Sequence, residues 1–479
     1  MNPLDAVILD NFFPTPSTVQ LRAGFDDHVT GLPGEVETLM EYASPSGTRK
    51  LIAASENAFY DVTASGAVGA AMDSSHTSSR WQHVNFGTSG GHFLVAVNGL
   101  DTPRNYDGTT WATTPAITGV TPENLIHVMA HQRRLFFCEK ATLKFWYLTT
   151  VAAIGGAASS FDLAPLCSKG GELLAAGTWS VDSGEGMDDL AVFVTSAGQV
   201  VVYAGTDPSS ANTWSLQGIY EIGKPIGRRC LTKVGSDLAV ITEDGFVPLS
   251  AALASGRATP VAISDKISDA VNSAARSYGS NFGWQAVLYP RGKMLLFNVP
   301  LTELGTSHQY VMNTGTGAWC RFKNQNAFCW SLLNEALYFG GNTKVYKADN
   351  GADDDGANVD GVCKPAFNYF GKPGAQKRFT QVRPVFVAGG GLTPAVSINV
   401  DFEDLAVVGS PSVSGASGAT WDVDPWDTSD WGVDNTVVKN WIGVNGIGYA
   451  GTLKINAASN QFGLALAAID YMFEIGGPM

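Results

Sequence analysis

Short apolar runs recur along the chain at 51–54, 93–97, 135–138, 190–194, 238–242, 294–298 and 337–339. They start roughly 40 to 57 residues apart, the period of a four-stranded propeller blade. Most are followed by a turn and a second, aromatic-rich strand: ENAFYDV at 56–62, NYDGTTW at 105–111, LKFWYL at 143–148, GQVVVYAG at 198–205 and NTKVYKAD at 342–349. The stretch LAVFVTSAGQVVVYAG (190–205) shows the pattern in its purest form, two charge-free halves around a small turn. The middle strands of a blade pack against neighbouring blades on both faces, so alternation gives way to continuous apolar runs. Gly198 supplies a turn residue that tolerates positive φ. The segment 206–223 then reads as a polar loop and another strand, anchored by Trp214 and Tyr220. The pattern predicts an all-β chain with a six-bladed β-propeller over 41–355.

One segment breaks the strand rhythm. VAISDKISDAVNSAAR (261–276) places Ile263, Ile267, Val271 and Ala274 at helical spacing, with Ser264 as N-cap, and predicts one amphipathic helix inserted between blades. DNGADDDGANVDG (349–361) reads as a linker. Beyond it the repeat stops, and new strands at 379–387, 396–402, 452–456 and 468–475 predict an accessory β-sandwich-like domain over 356–479. Residues 1–40, with FFPTPSTVQLRAGF, form an edge segment that either packs on that domain or closes the propeller.

Composition narrows the function classes. Of 479 residues only 15% are charged while 54 are glycine, a mix that favours short strands and tight turns over helices. A net charge of −14 argues against a phosphate-clamping nucleic-acid binder. An acidic wall is still compatible with a passage that DNA slides through, because repulsion stops the polymer sticking. Cys138, Cys167, Cys230, Cys320, Cys329 and Cys363 form no CxxC pair, and no histidine sits at ligand spacing from them. They read as reduced, buried thiols of a protein folded in a cytosol. MNPLDAVILDNFF has no basic stretch before its apolar part and is not read as a secretory signal. No apolar run approaches 18 residues, the length of a membrane-spanning helix.

The chemical motifs resolve toward structural readings. GTSGG (87–91) fits the letters of a nucleophile elbow, with His92 adjacent, but strand-like HFLVAVNG follows where a helix is required. HVMAH (127–131) has Val128 where a zincin needs glutamate. Asp353, Asp354 and Asp355 before Gly356 suggest a Ca²⁺ loop, with Asp353 and Asp355 as weak metal candidates. Gly351 and Val362 stand where an EF-hand wants its first and twelfth ligands, so a solvated surface linker is the preferred reading. WDVDPWDTSDWG (421–432) spaces Trp421, Trp426 and Trp431 by five. These read as anchors of the domain or of a subunit interface, with glycan stacking as the alternative. Paired carboxylates for glycoside hydrolysis are uninformative among 44 acids, and no P-loop or dinucleotide fingerprint is present. No catalytic or cofactor-binding residue is expected.

The order of several segments resembles the tail nozzle proteins of short-tailed bacteriophages, also called tail tubular protein B or packaged-DNA stabilisation protein. The segments are 188–230, 235–253, ISDKISDAV (263–271), YVMNTGTGAWCRF (310–322), 337–356, KRFTQVRPVF (377–386), the triple-tryptophan stretch and the ending DYMFEIGGPM (470–479). The resemblance runs over roughly residues 40–479. It implies a propeller in each of six subunits and a hexameric ring that extends the portal–adaptor channel. It also implies contacts with a tail adaptor protein and with tail fibres or spikes, and platform or nozzle contacts made by the accessory domain over 356–479. Double-stranded DNA would be retained and then conducted without sequence-specific binding. A virion location after assembly in the host cytoplasm, no cofactor and no enzymatic activity follow from the same resemblance. The alternative is a glycan-binding or glycan-cleaving propeller acting as a receptor-binding tail component. A periplasmic propeller enzyme of the host is disfavoured by the N-terminus and the unpaired cysteines.

Overall fold

The computed structural model describes residues 5–182, 187–254, 262–414 and 436–476. In it the apolar hairpin at 190–205 is the centre of a four-stranded antiparallel sheet built from Leu173–Asp182, Met187–Thr195, Gln199–Gly205 and Trp214–Glu221. Its two faces belong to different cores. Ala191, Phe193, Val201 and Tyr203 pack with Phe136 and Phe145 of the preceding sheet. Val192, Val194, Val200 and Val202 pack with Val240 and Phe246 of the following one. That two-sided burial is why the sequence shows no alternation there. Gly198 turns the hairpin at φ +81, and a Cβ on it would sit 2.4 Å from the Ile222 carbonyl oxygen.

Six further sheets complete a closed ring. The first strands of the successive sheets are the second half of Phe25–Ala43, then Gln82–Thr88, Leu125–His131, Leu173–Asp182, Leu231–Val234, Gln285–Tyr289 and Cys329–Leu333. Each lies against the next, and the last returns to the first. The chain is therefore a β-propeller of seven blades among the described residues, one more than the six expected. The core between the first and second blades holds Met40, Phe59, Trp81 and Tyr106.

The seventh blade explains the difference in count. It consists of Cys329–Leu333, Ala336–Gly340 and Asn342–Ala348, and its fourth strand is the first half of Phe25–Ala43. The second half of that 19-residue strand opens the first blade against Arg49–Ser55. One strand thus serves two blades and ties the ring shut. Its interior holds Gly31, Pro33 and Gly34, which allow the strand to pass between sheets. The propeller accordingly begins at Phe25 rather than 41. The fifth blade has three strands, Leu231–Val234, Asp237–Thr242 and Gly245–Pro248.

Between the fifth and sixth blades the single predicted helix is replaced by two. Leu249–Ala254 is a short helix that six residues leave without a readable period. Ser268–Tyr278 follows a 3₁₀ turn at Asp265–Ile267. Val271, Ala274 and Ala275 are its buried positions, while Ile263 packs on the same core from the preceding loop and Ile267 is half-buried before the helix begins. Ser264 does not cap the helix with its side chain; its Oγ accepts a hydrogen bond from the Phe246 amide at 3.0 Å.

Beyond the seventh blade two sheets pack face to face. One contains Ala6–Asp10, Ala357–Pro365, Gly451–Ser459 and Ala395–Val400. The other contains Phe12–Pro14, Val19–Leu21, Leu464–Ile475 and Lys377–Ala388, with Thr436–Val438 and Ile442–Gly448 along its far side. Phe12, Phe379, Val382, Phe386, Leu453 and Ile455 fill the space between. This is a β-sandwich in which the chain's first strands and its last strands lie side by side. Lys377 is fully buried in it, and its ammonium donates to the carbonyls of Lys372, Ala375 and Tyr449 at 2.7–2.9 Å, which satisfies all three donors.

Charged contacts fasten the sandwich to the propeller. Asp10 receives Arg321 Nε and Nη2 at 2.7 and 2.8 Å and Lys323 Nζ at 2.9 Å. Burial alone would raise the Asp10 carboxyl, but the hydrogen bonds and charges of Arg321 and Lys323 outweigh it and hold the group below 3.8. A carboxyl depressed in the folded state stabilises above its unfolded value and loses that contribution as pH falls through the folded one. Asp10→Asn should therefore lower the urea midpoint at pH 6 and make progressively less difference below pH 4. An Asp10→Asn effect of equal size at pH 6 and pH 3 would contradict this linkage.

Candidate functional site

The first strands of the blades converge on the propeller axis, and their polar side chains meet there although they are far apart in sequence. Thr38, Trp81, His83, His127, Arg228, Arg229 and Gln285 come from five of the seven blades or the turns leading into them and line a cavity of about 200 Å³. A wider mouth of about 430 Å³ continues from it past Glu41, Asn85, Thr232 and Lys233.

Arg229 is fixed by three acceptors. Its Nη2 donates to the Glu37 carbonyl, Thr38 Oγ1 and the Trp81 carbonyl at 3.0, 2.7 and 3.4 Å. Its guanidinium also lies over the Phe282 ring at 4.9 Å. Arg228 donates to the Asn98 carbonyl at 3.2 Å. The carboxylates whose charge reaches them are engaged elsewhere: Glu37, near Arg229, pairs with Arg80 at 2.9 Å, and Glu172, near Arg228, accepts the Ala141 amide at 2.9 Å. Burial pushes both arginines below their ordinary value. Burial, with Arg229 and His127 nearby, pushes His83 down to about 4, and burial with Arg228 nearby does the same to His127. Both imidazoles are therefore neutral at pH 7. Arg229 Nη1 and His127 Nδ1 are buried without a hydrogen-bond partner in the protein.

A second concentration lies on the sandwich and its loops. Ten of the fifteen exposed large apolar side chains among the described residues fall between Tyr369 and Ile475. Register places Arg378 between Ile447 and Glu474, and Gln381 opposite Met472. Arg383 binds Asp470 at 2.7 Å and covers the half-exposed Trp441 ring at 4.9 Å. The result is an apolar surface threaded by charged side chains.

The acidic loop has a structural assignment. Asp354 is buried and takes both Nη atoms of Arg22, at 2.6 and 2.7 Å. Asp353 accepts the Gly356 amide at 2.7 Å, and exposed Asp355 faces Lys344 at 3.5 Å. The loop is thus only partly at the surface, and each carboxylate already has a partner. Among the described residues no three His, Cys, Asp or Glu side chains converge on a metal position. Gly24 makes the approach possible, since a Cβ there would lie 1.6 Å from the Asp353 carbonyl oxygen. Trp421, Trp426 and Trp431 lie outside the described residues.

GTSGG forms the turn between Gln82–Thr88 and Gly91–Val97, with no helix after it. His127 and His131 share an extended strand, where four residues span about 13 Å. His131 is buried on the Gly205 carbonyl at 2.9 Å. The cavity residues were not singled out by sequence. The one available signal was the RR pair in GKPIGRRC (223–230), two adjacent cations in an acidic chain.

No protein-family model matches the chain, and neither does any curated protein. Among solved structures it is similar to BBS1N in complex with ARL6DN, in crystals soaked with lead and with mercury. The lead-soaked structure has a TM-score of 0.44 at 10% identity, covering 70% of this chain and 99% of that one. The mercury-soaked structure has a TM-score of 0.43 at 11% identity, covering 68% and 97%.

Proposed function

We propose that this chain is a structural virion protein, a tail nozzle subunit of a short-tailed bacteriophage. Six copies form a ring that extends the portal–adaptor channel, holds packaged double-stranded DNA and conducts it on ejection. The ring meets the tail adaptor on one side and carries tail fibres or spikes. The protein performs no catalysis, and it reaches the virion after folding in the host cytoplasm.

The observation that carries this reading is the gathering of exposed apolar side chains on the sandwich, around Trp441, Ile447 and Met472. Apolar surface concentrated in this way marks a contact face. A cyclic ring needs two unlike patches on each subunit. A second exposed apolar pair, Leu216 and Ile219, lies on the outermost strand of the fourth blade, an unpaired sheet edge. Seven blades packed in a circle supply a stiff body to hold these patches in fixed relation. A net charge of −14 suits a lumen that DNA slides through, because each phosphate clamp would add an unbinding step to ejection.

Native mass spectrometry of the full chain tests the proposal. The wild type should give six-chain rings, and Trp441→Asp or Leu216→Asp should leave single chains with an unchanged circular-dichroism spectrum. Single wild-type chains that bind a glycan array would overturn the nozzle reading in favour of a receptor-binding component.

A further inference from the structure

The axial cavity raises a problem of charge. Arg228 and Arg229 line it, no carboxylate among the described residues forms an ion pair with either, and the two acids whose charge reaches them are engaged elsewhere, Glu37 by Arg80 and Glu172 by the Ala141 amide. Both are half-buried, and a cation partly removed from water is costly unless it is paired. Two half-buried histidines, His83 and His127, complete the wall, and His127 carries a buried Nδ1 that meets no protein partner. We propose that the axial cavity of the propeller binds a small tetrahedral oxyanion of the phosphate or sulfate class, held by Arg228, Arg229, His83 and His127.

The chemistry fits this class. Guanidinium groups present rigid forks of N–H donors that match oxyanion geometry. Neutral imidazoles add donors without adding charge that would have to be desolvated. The wall contains no carboxylate side chain. The acidic exterior repels anions in general, so occupancy must come from the built site and not from the long-range field. Burial strengthens the contact because screening by salt is weak there. The site is independent of ring formation, since all four residues belong to one subunit.

Calorimetric titration of the full chain with inorganic phosphate tests this, with sulfate as a second arm and chloride at matched ionic strength as the blank. One phosphate per chain should bind, and the Cε1–H resonances of His83 and His127 should shift on binding. Arg228→Gln should weaken binding at least tenfold, Arg228→Lys should weaken it less, and Arg378→Gln on the sandwich surface should leave it unchanged. Should Arg228→Gln fail to fold, His83→Gln and Arg228→Lys decide, each with weaker binding at an unchanged melting curve. Heats with phosphate and sulfate no larger than with chloride, or wild-type affinity in folded Arg228 variants, would overturn the proposal.

Discussion

Phe193→Ala should destabilise the propeller by about 3 to 5 kcal/mol, as expected for a large aromatic removed from a sealed core. Phe193 is fully buried and stacks on Phe145 at 4.3 Å between centroids, with the planes 13° apart. Phe136, Tyr203 and Trp214 close the same cluster, so little can collapse into the space left. The lost contact is the one between the third and fourth blades. Because a propeller is closed, weakening one junction loosens the whole circle. Urea unfolding followed by tryptophan fluorescence should show a lower midpoint, and Phe193→Leu should recover part of the loss. A Phe193→Ala midpoint within about 0.5 kcal/mol of wild type, the range of ordinary surface substitutions, would show that the two blades do not share a core.

Arg22→Met should cost about 3 to 5 kcal/mol, because it leaves Asp354 buried without its cation. The Arg22 side chain is 1% exposed and that of Asp354 6%. The guanidinium also donates to Asn11 Oδ1 at 3.0 Å, to the Lys323 carbonyl at 2.9 Å and to the Ala23 carbonyl at 3.0 Å. One side chain thus joins the sandwich strands, the sixth blade and the acidic loop. The double variant Arg22→Met with Asp354→Leu should regain most of the stability, since no charge is then stranded. Additive losses in the double variant would show that the pair is not coupled.

Much of the propeller was legible because its most buried strands are its second strands. Each of the seven apolar runs named from sequence falls in the second strand of a different blade, from 51–54 in Arg49–Ser55 to 337–339 in Ala336–Gly340. The count of six missed one because the first and seventh blades share a strand whose letters, FDDHVTGLPGEVETLMEYA, read as polar and broken. Several tight turns were also hidden. Glu56 and Asn57, Gln132 and Arg133, and Asn334 and Glu335 all take positive φ without the glycine that signals such hairpins. The axial cavity was illegible for a different reason. His83, His127 and Gln285 each look like an isolated polar residue in a strand, and only ring closure brings them to Arg228 and Arg229. Asp353–Asp355 looked like a solvated run because its partner, Arg22, lies 332 positions from Asp354.

Whether six copies close around an axis is decided most directly by cryo-electron microscopy of the purified full chain. A nozzle subunit should give six-fold rings, with each propeller held at the rim by its sandwich and an open hole wide enough for a DNA duplex. Isolated particles whose only passage is the narrow cavity at the axis of a single propeller would contradict it.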